Sequence, residues 1–109
     1  MPDPKLFLSL NDPICKIVLM RNGEHYLSDS GVITGWIDTK LTKKGINSVK
    51  KAAELLKNHG FDFGAIHTSQ LQRGKESAEI IRKELGVDEE VEIKKSWKLN
   101  ERHYGKYTA

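Results

Sequence analysis

Residues 16–26 read KIVLMRNGEHY, and the fold turns on how this stretch is read. Asn22-Gly23 between an apolar run and a mixed run is a strong short signal for a β-hairpin turn. The alternative is a buried strand ending at Met20 that delivers Arg21-Asn22-Gly23-Glu24 as a functional loop. The run 14–20 (ICKIVLM) is nearly continuous in β-branched and apolar residues, without the alternation of a one-sided hairpin arm. The far side, His25 to Ser30, is loop-like. The strand-then-loop reading is the better one.

The pattern outward from this run alternates strands with helices. Residues 1–13 hold all three prolines and read as an irregular leader, which leaves 14–109 as one small domain. Residues 21–41 have no clear period and contain Gly23, Gly31 and Gly35, the mark of a long loop. Loops of that length in a compact domain are usually functional. Thr42 is a candidate N-cap. Behind it Ile46, Val49, Ala53 and Leu56 mark one helix face, and Gly60 is placed to end that helix. Phe61 to His67 predicts a second strand. Ser69 and Gln72 suggest a capping box, followed by Leu71, Gly74, Ala78, Ile81 and Leu85 at helical spacing up to Gly86. Val91 to Trp97 (VEIKKSW) predicts a third strand. The expected class is α/β, ordered β-α-β-α-β, with a mostly parallel sheet. Ligands bind such sheets beyond the carboxyl ends of the strands. Arg21, Arg73 and Arg102 all follow strand candidates, whereas Arg82 falls on the solvent side of the second helix.

Composition narrows the function. The net charge of +3, from 18 basic and 15 acidic residues, is too mild to argue for nucleic acid. Lysines outnumber arginines 14 to 4 and fall mostly off the apolar helix faces, so the few arginines stand out. Arginine suits bidentate grip on phosphate or carboxylate. No apolar run approaches the roughly 20 residues that span a bilayer. The start Met-Pro-Asp-Pro lacks signal-peptide character. The single cysteine, Cys15, excludes an internal disulfide and a multi-cysteine metal site. A cytoplasmic protein with no metal, no nucleic acid and no membrane partner is expected.

Four motifs carry a resemblance. They are Arg21-Asn22-Gly23-Glu24, Thr34-Gly35-Trp36-Ile37-Asp38 with Leu41-Thr42, Thr68-Ser69-Gln70-Leu71-Gln72-Arg73, and Trp97-Lys98-Leu99-Asn100-Glu101-Arg102-His103-Tyr104-Gly105. From Lys16 to Thr108 the chain resembles the cofactor-dependent phosphoglycerate mutases of the histidine phosphatase superfamily. The resemblance implies the N-terminal part of a three-layer α/β/α phosphoglycerate mutase-like fold, without its C-terminal half. It implies interconversion of 2- and 3-phosphoglycerate through a phosphohistidine, primed by 2,3-bisphosphoglycerate. Arg21 and Arg73 match phosphate-clamping arginines, and Glu101 matches the acid/base carboxylate. Arg102, His103, Tyr104, Thr34 and Gly35 match substrate contacts. Trp36 and Trp97 read as packing residues, and His25, His59 and His67 as surface or ordinary loop residues.

The chain departs from the family pattern in three ways. Asn22 stands where the family has its nucleophilic histidine. A carboxamide nitrogen has its lone pair delocalised into the carbonyl and cannot accept a phosphoryl group. Losing a nucleophile costs on the order of 10⁶ in turnover in enzymes that act through one. Ser28 stands where the family usually has a phosphate-contacting asparagine. The third departure is length. The family continues well beyond the point where this chain ends. The part beyond supplies a second histidine on a strand next to the one ending at Met20. Its absence is expected to leave sheet edges and helix faces uncovered, inviting a partner or self-association. Three functions follow in order of preference: an impaired mutase-family chain, a pseudoenzyme that binds a phosphometabolite or partner, and a basic nucleic-acid binder.

Overall fold

The computed structural model describes residues 16–28, 30, 31, 33–87, 91–103 and 105. The leader 1–13 and Tyr104 lie outside the described residues.

Helix α1, Lys43–Asn58, starts where the cap predicts: the Thr42 hydroxyl accepts from Gly45 N at 3.0 Å. It ends just before Gly60, whose φ of +76° lets the chain leave through the left-handed region. Strand β1 is Ile66–Thr68, helix α2 is Gln72–Leu85, and strand β2 is Ile93–Lys95. Gly86, at φ +64°, closes α2. The two strands pair in parallel, with Ile66 opposite Ile93 and Thr68 opposite Lys95. A 3-10 turn, Trp97–Leu99, follows, capped by the Ser96 hydroxyl.

Both helices use the faces their periodicity marks. Val49 and Ala53 of α1 meet Ile81 of α2 in the core, with Leu56, Ile80 and Leu85 packed around them. Helix α2 also lies against β1 and β2, and α1 lies along α2. The result is a partial α/β fold, with one βαβ unit and a second helix beside it.

Three local expectations are corrected. Strands two and three are shorter than their apolar patterns: Phe61 and Phe63 stack on each other at 6.0 Å ahead of β1, and Trp97 enters the 3-10 turn. Ser69 does not cap α2. The N-cap is Leu71, and Gln72 N donates to Asp38 Oδ1 at 2.6 Å. A carboxylate outcompetes a hydroxyl for a free N–H at a helix start. Finally, Lys16–Met20 carries no strand pairing. Ile17 and Leu19 are 82% and 91% exposed. The cause is geometric: a cleft of about 670 Å³ separates this run from β1, lined by residues 16–22 on one wall and 62–69 on the other. A strand cannot form without a neighbour within about 4.8 Å to take its hydrogen bonds.

Candidate functional site

The loops that follow β1 and β2 are tied together. Ser96 N donates to Thr68 O at 2.9 Å, and Gln70 N donates to Asn100 Oδ1 at 2.9 Å. This places the first turn of α2 beside Glu101. Arg73 sits in that turn and is 1% exposed. Its Nη1 donates to Ile37 O and its Nη2 to Gly35 O, each at 2.6 Å. Glu101 Oε2 lies 3.6 Å from Nη2. Nε is buried without a partner among the described residues.

The two carbonyls come from a strap, residues 33–41. Gly35 adopts φ +54°, and Ile37 N donates to Thr34 O at 3.0 Å, a turn that aims both carbonyls at the guanidinium. The strap is fastened to the Arg21–Ser28 loop by several bonds. Thr39 Oγ1 lies 2.7 Å from His25 Nδ1, and Tyr26 N donates to Lys40 O at 3.2 Å. His25 and Leu41 form an antiparallel bridge.

The loop itself rests on both helices. Gly23 N donates to Ser77 Oγ at 3.2 Å, and that hydroxyl donates to Arg73 O at 2.7 Å. Asn22 is thereby held one residue from the turn that carries Arg73; its Nδ2 donates to Gly23 O at 2.7 Å. Glu24 O accepts from Thr42 N at 3.0 Å, and Lys44 pairs with the Glu24 carboxylate at 3.6 Å. Gly45 makes this approach possible: a Cβ there would stand 2.0 Å from Glu24 O.

The predicted site residues thus fall into two groups. Gly35, Arg73 and Glu101 come together, with Asn22 linked to them through Gly23 and Ser77 and Thr34 closing the turn at the strap. Arg21 is exposed beside the cleft wall, and Arg102 and His103 are exposed. His103 Nδ1 accepts from Gly105 N at 3.0 Å, and its ring meets Trp36 edge-on at 5.1 Å. Ser28 is spent locally, its hydroxyl accepting from His25 N at 2.9 Å.

Other side chains depart from their expected places. Trp36 and Trp97 pack against each other as expected, with ring centroids 6.4 Å apart, but at the surface, 40% and 62% exposed; Trp36 Nε1 donates to Glu101 O. His25 is buried, not a surface residue. Burial holds its pKa below the usual 6.5 and the Arg73 charge lowers it further, against the pull of Glu101 and Glu24. Arg82 is partly buried and pairs with Glu79 at 2.7 Å. Ser77, Thr39 and Gly45 enter the site without a sequence-based expectation, and Asp38, read only as a motif residue, holds the start of α2. Ser77 alone had a local signal, since it lies four residues after Arg73 and shares its helix face.

A βαβ unit with a buried arginine and a carboxylate gathered beyond its strand ends defines an α/β domain with a ligand edge. The chain belongs to the histidine phosphatase superfamily (branch 1), which residues 17–109 match. Its similarity to curated proteins is close. The 2,3-bisphosphoglycerate-dependent phosphoglycerate mutase of Borrelia garinii subsp. bavariensis is 44% identical over 90 residues, 83% of this chain and 36% of the relative. The protein of the same name from Wigglesworthia glossinidia brevipalpis is 45% identical over 92 residues, 84% of this chain and 39% of the relative. Among solved structures, Bacillus stearothermophilus YhfR aligns with a TM-score of 0.70 at 29% identity, over 82% of this chain and 41% of that one. The chain spans a little over a third of the length of the curated relatives it matches.

Proposed function

We propose that this chain is a phosphate-binding remnant of a phosphoglycerate mutase site that does not itself carry out phosphoryl transfer. The observation that carries the reading is a carboxamide at position 22, held through Gly23 and Ser77 against the helix turn of Arg73. The curated relatives are phosphoglycerate mutases, and phosphoglycerate mutation is the ancestral reaction of this reading. Positioning and charge neutralisation dominate phosphoryl transfer, but a covalent route also needs an acceptor atom. Asn22 offers none. The residues therefore do not fit 2,3-bisphosphoglycerate as a phosphoryl-donating primer.

What remains suits a small phosphorylated anion. Arg21 is exposed at the edge, Arg73 brings a buried positive charge, and Glu101 can exchange its contact with Arg73 for one to a hydroxyl. A phosphometabolite-binding pseudoenzyme is thus the form the proposal takes, with no nucleic acid or membrane partner and a cytoplasmic location.

Two measurements test it. In a coupled assay with 3-phosphoglycerate and 2,3-bisphosphoglycerate, no turnover above the uncatalysed background is expected. Turnover near that of a full-length mutase overturns the loss of catalysis. In calorimetry, 3-phosphoglycerate and inorganic phosphate are expected to bind, and Arg21→Ala to weaken both. Absence of binding by either ligand overturns the anion site.

A further inference from the structure

Asn22-Gly23 makes no hairpin, but the pair has a chemistry of its own. The backbone nitrogen that follows an asparagine can attack the side-chain amide carbon and close a succinimide ring. Glycine is the most permissive follower, because it has no side chain in the way and reaches the required backbone angles freely. The chain has five asparagines, Asn11, Asn22, Asn47, Asn58 and Asn100, and only Asn22 precedes a glycine.

The fold leaves this pair open to the reaction. Residues 21–24 belong to no helix or strand, and Asn22 is half-buried, not sealed. The 2.7 Å bond from Asn22 Nδ2 to Gly23 O folds the carboxamide back over the Gly23 peptide, the unit that holds the attacking nitrogen. That nitrogen has a single tether among the described residues, to Ser77 Oγ at 3.2 Å, the long limit for an N–H donor. Packing also fixes the follower. A Cβ at position 23 would stand 2.6 Å from Gly45 O and 2.8 Å from Val49 Cγ2, so the fold requires the residue that the reaction favours. Ring closure puts negative charge on the amide oxygen. Arg21 adjoins that amide, and the turn of Arg73 is linked to it through Ser77, which gives the loop a positive field. The other described asparagines are better held. Asn47 and Asn58 lie in α1, and the Asn100 carboxamide accepts from Gln70 N at 2.9 Å.

We propose that Asn22 is a self-modifying site whose deamidation switches the anion site off. The Gly23 nitrogen bonds to Cγ, and the Cγ–Nδ2 bond breaks. The Gly23 proton passes through solvent to the departing nitrogen, which leaves as ammonia. Water then opens the ring at either carbonyl and leaves an aspartyl or isoaspartyl carboxylate at position 22. No oxidant or reductant takes part. A neutral amide thus becomes a negative charge beside Arg21 and the turn of Arg73. It takes the arginines as counter-ions and repels phosphate. The modification stands on the loop alone; its effect on binding rests on the anion site proposed above.

Ageing the chain from mildly acid to mildly alkaline pH tests the modification. Peptide mapping by mass spectrometry locates each replacement of NH by O. Conversion is expected at Asn22 well ahead of the other four asparagines, faster as pH rises because the attacking nitrogen must lose its proton. An isoaspartyl fraction at position 22 marks the ring. Asn22→Gln, whose longer side chain closes a ring far less readily, should stay unconverted. A rate at Asn22 no greater than elsewhere overturns the proposal. So does a native rate far below that of the same chain in urea, which would show that the fold shields the pair. Calorimetry with inorganic phosphate reads the consequence. Aged chain and Asn22→Asp should bind on the order of tenfold more weakly than fresh chain, or less. Equal binding by fresh and aged chain overturns the switch and leaves the anion site standing. Binding by neither removes the anion site and the switch with it, while the mass shift still decides the modification.

Discussion

Arg73 holds the strap with both arms of its guanidinium, and this makes it a structural residue as much as a binding one. Replacing it by methionine leaves Gly35 O and Ile37 O without donors. The expected cost is about 2–6 kcal/mol, at about 1–3 kcal/mol per stranded buried group. Urea unfolding measures it; a loss below 1 kcal/mol, within roughly the range of surface substitutions, would mean the strap is held by other bonds. Arg73→Lys should recover only part, because an ammonium cannot meet two carbonyls in a fixed fork. His25 makes the second prediction. Its folded-state pKa is below the unfolded value of 6.5, so the unfolded chain binds more protons on acidification. Stability is full above pH 6.5, falls as pH drops below it, and levels off once the folded form is also protonated. His25→Gln should flatten that slope in a pH series of urea midpoints. At this scale the sequence told part of the story. Arg73 and Glu101 were legible from motif spacing. The burial of Arg73 was not, because its partners Gly35 and Ile37 lie 38 and 36 residues earlier in the chain. For the same reason His25, which meets Thr39 across the strap, read as an ordinary loop residue.

Helix α1 and the Arg21–Glu24 loop cross at two glycines. A Cβ on Gly23 would stand 2.6 Å from Gly45 O, and one on Gly45 would stand 2.0 Å from Glu24 O. Alanine at position 45 improves helix propensity by about 1 kcal/mol, but overpacking against backbone costs about 1–3 kcal/mol. With backbone as the obstacle the upper end applies, so Gly45→Ala is expected to lower the melting temperature and to shift the Asn22–Glu24 amide resonances. Gly64→Ala is the control: nothing lies within 4 Å of its added Cβ, and its stability should hold or rise slightly. The helices were the most legible elements. Their apolar period, the Thr42 cap and the Gly60 and Gly86 stops all took effect where the sequence put them. Asp38 displaced Ser69 at the start of α2 because a carboxylate from a distant strap reaches the free N–H groups first. Local capping rules do not see such a competitor.

The apolar run 14–20 has the composition of a strand buried on both faces, but a strand is a relation between neighbours. Sequence pattern revealed the need, and only the structure revealed the cleft. Hydrogen exchange of the Ile17–Met20 amides should therefore be rapid, because no neighbouring strand among the described residues takes their hydrogen bonds. The β1 amides that pair with β2 should be protected. Slow exchange of the run would mean it already has a partner within its own chain. Among the described residues no helix is long and apolar enough to cross a membrane.

The carbonyls on Arg73 are neutral, and this divides attraction from grip. They saturate two arms of the fork without cancelling its charge, and Glu101, 41% exposed and 3.6 Å away, offsets that charge only in part. At the anion site proposed above, a phosphate would be drawn in by the field of Arg73 and Arg21 before either strap carbonyl lets go. Capture should therefore proceed in two kinetic phases. The encounter slows as salt shortens the screening length to about 8 Å or less. The release of the strap is a rearrangement of neutral hydrogen bonds and keeps its rate. Stopped-flow mixing with inorganic phosphate at several ionic strengths separates the two, and a single phase that scales with salt throughout would show that the strap never holds the arginine back.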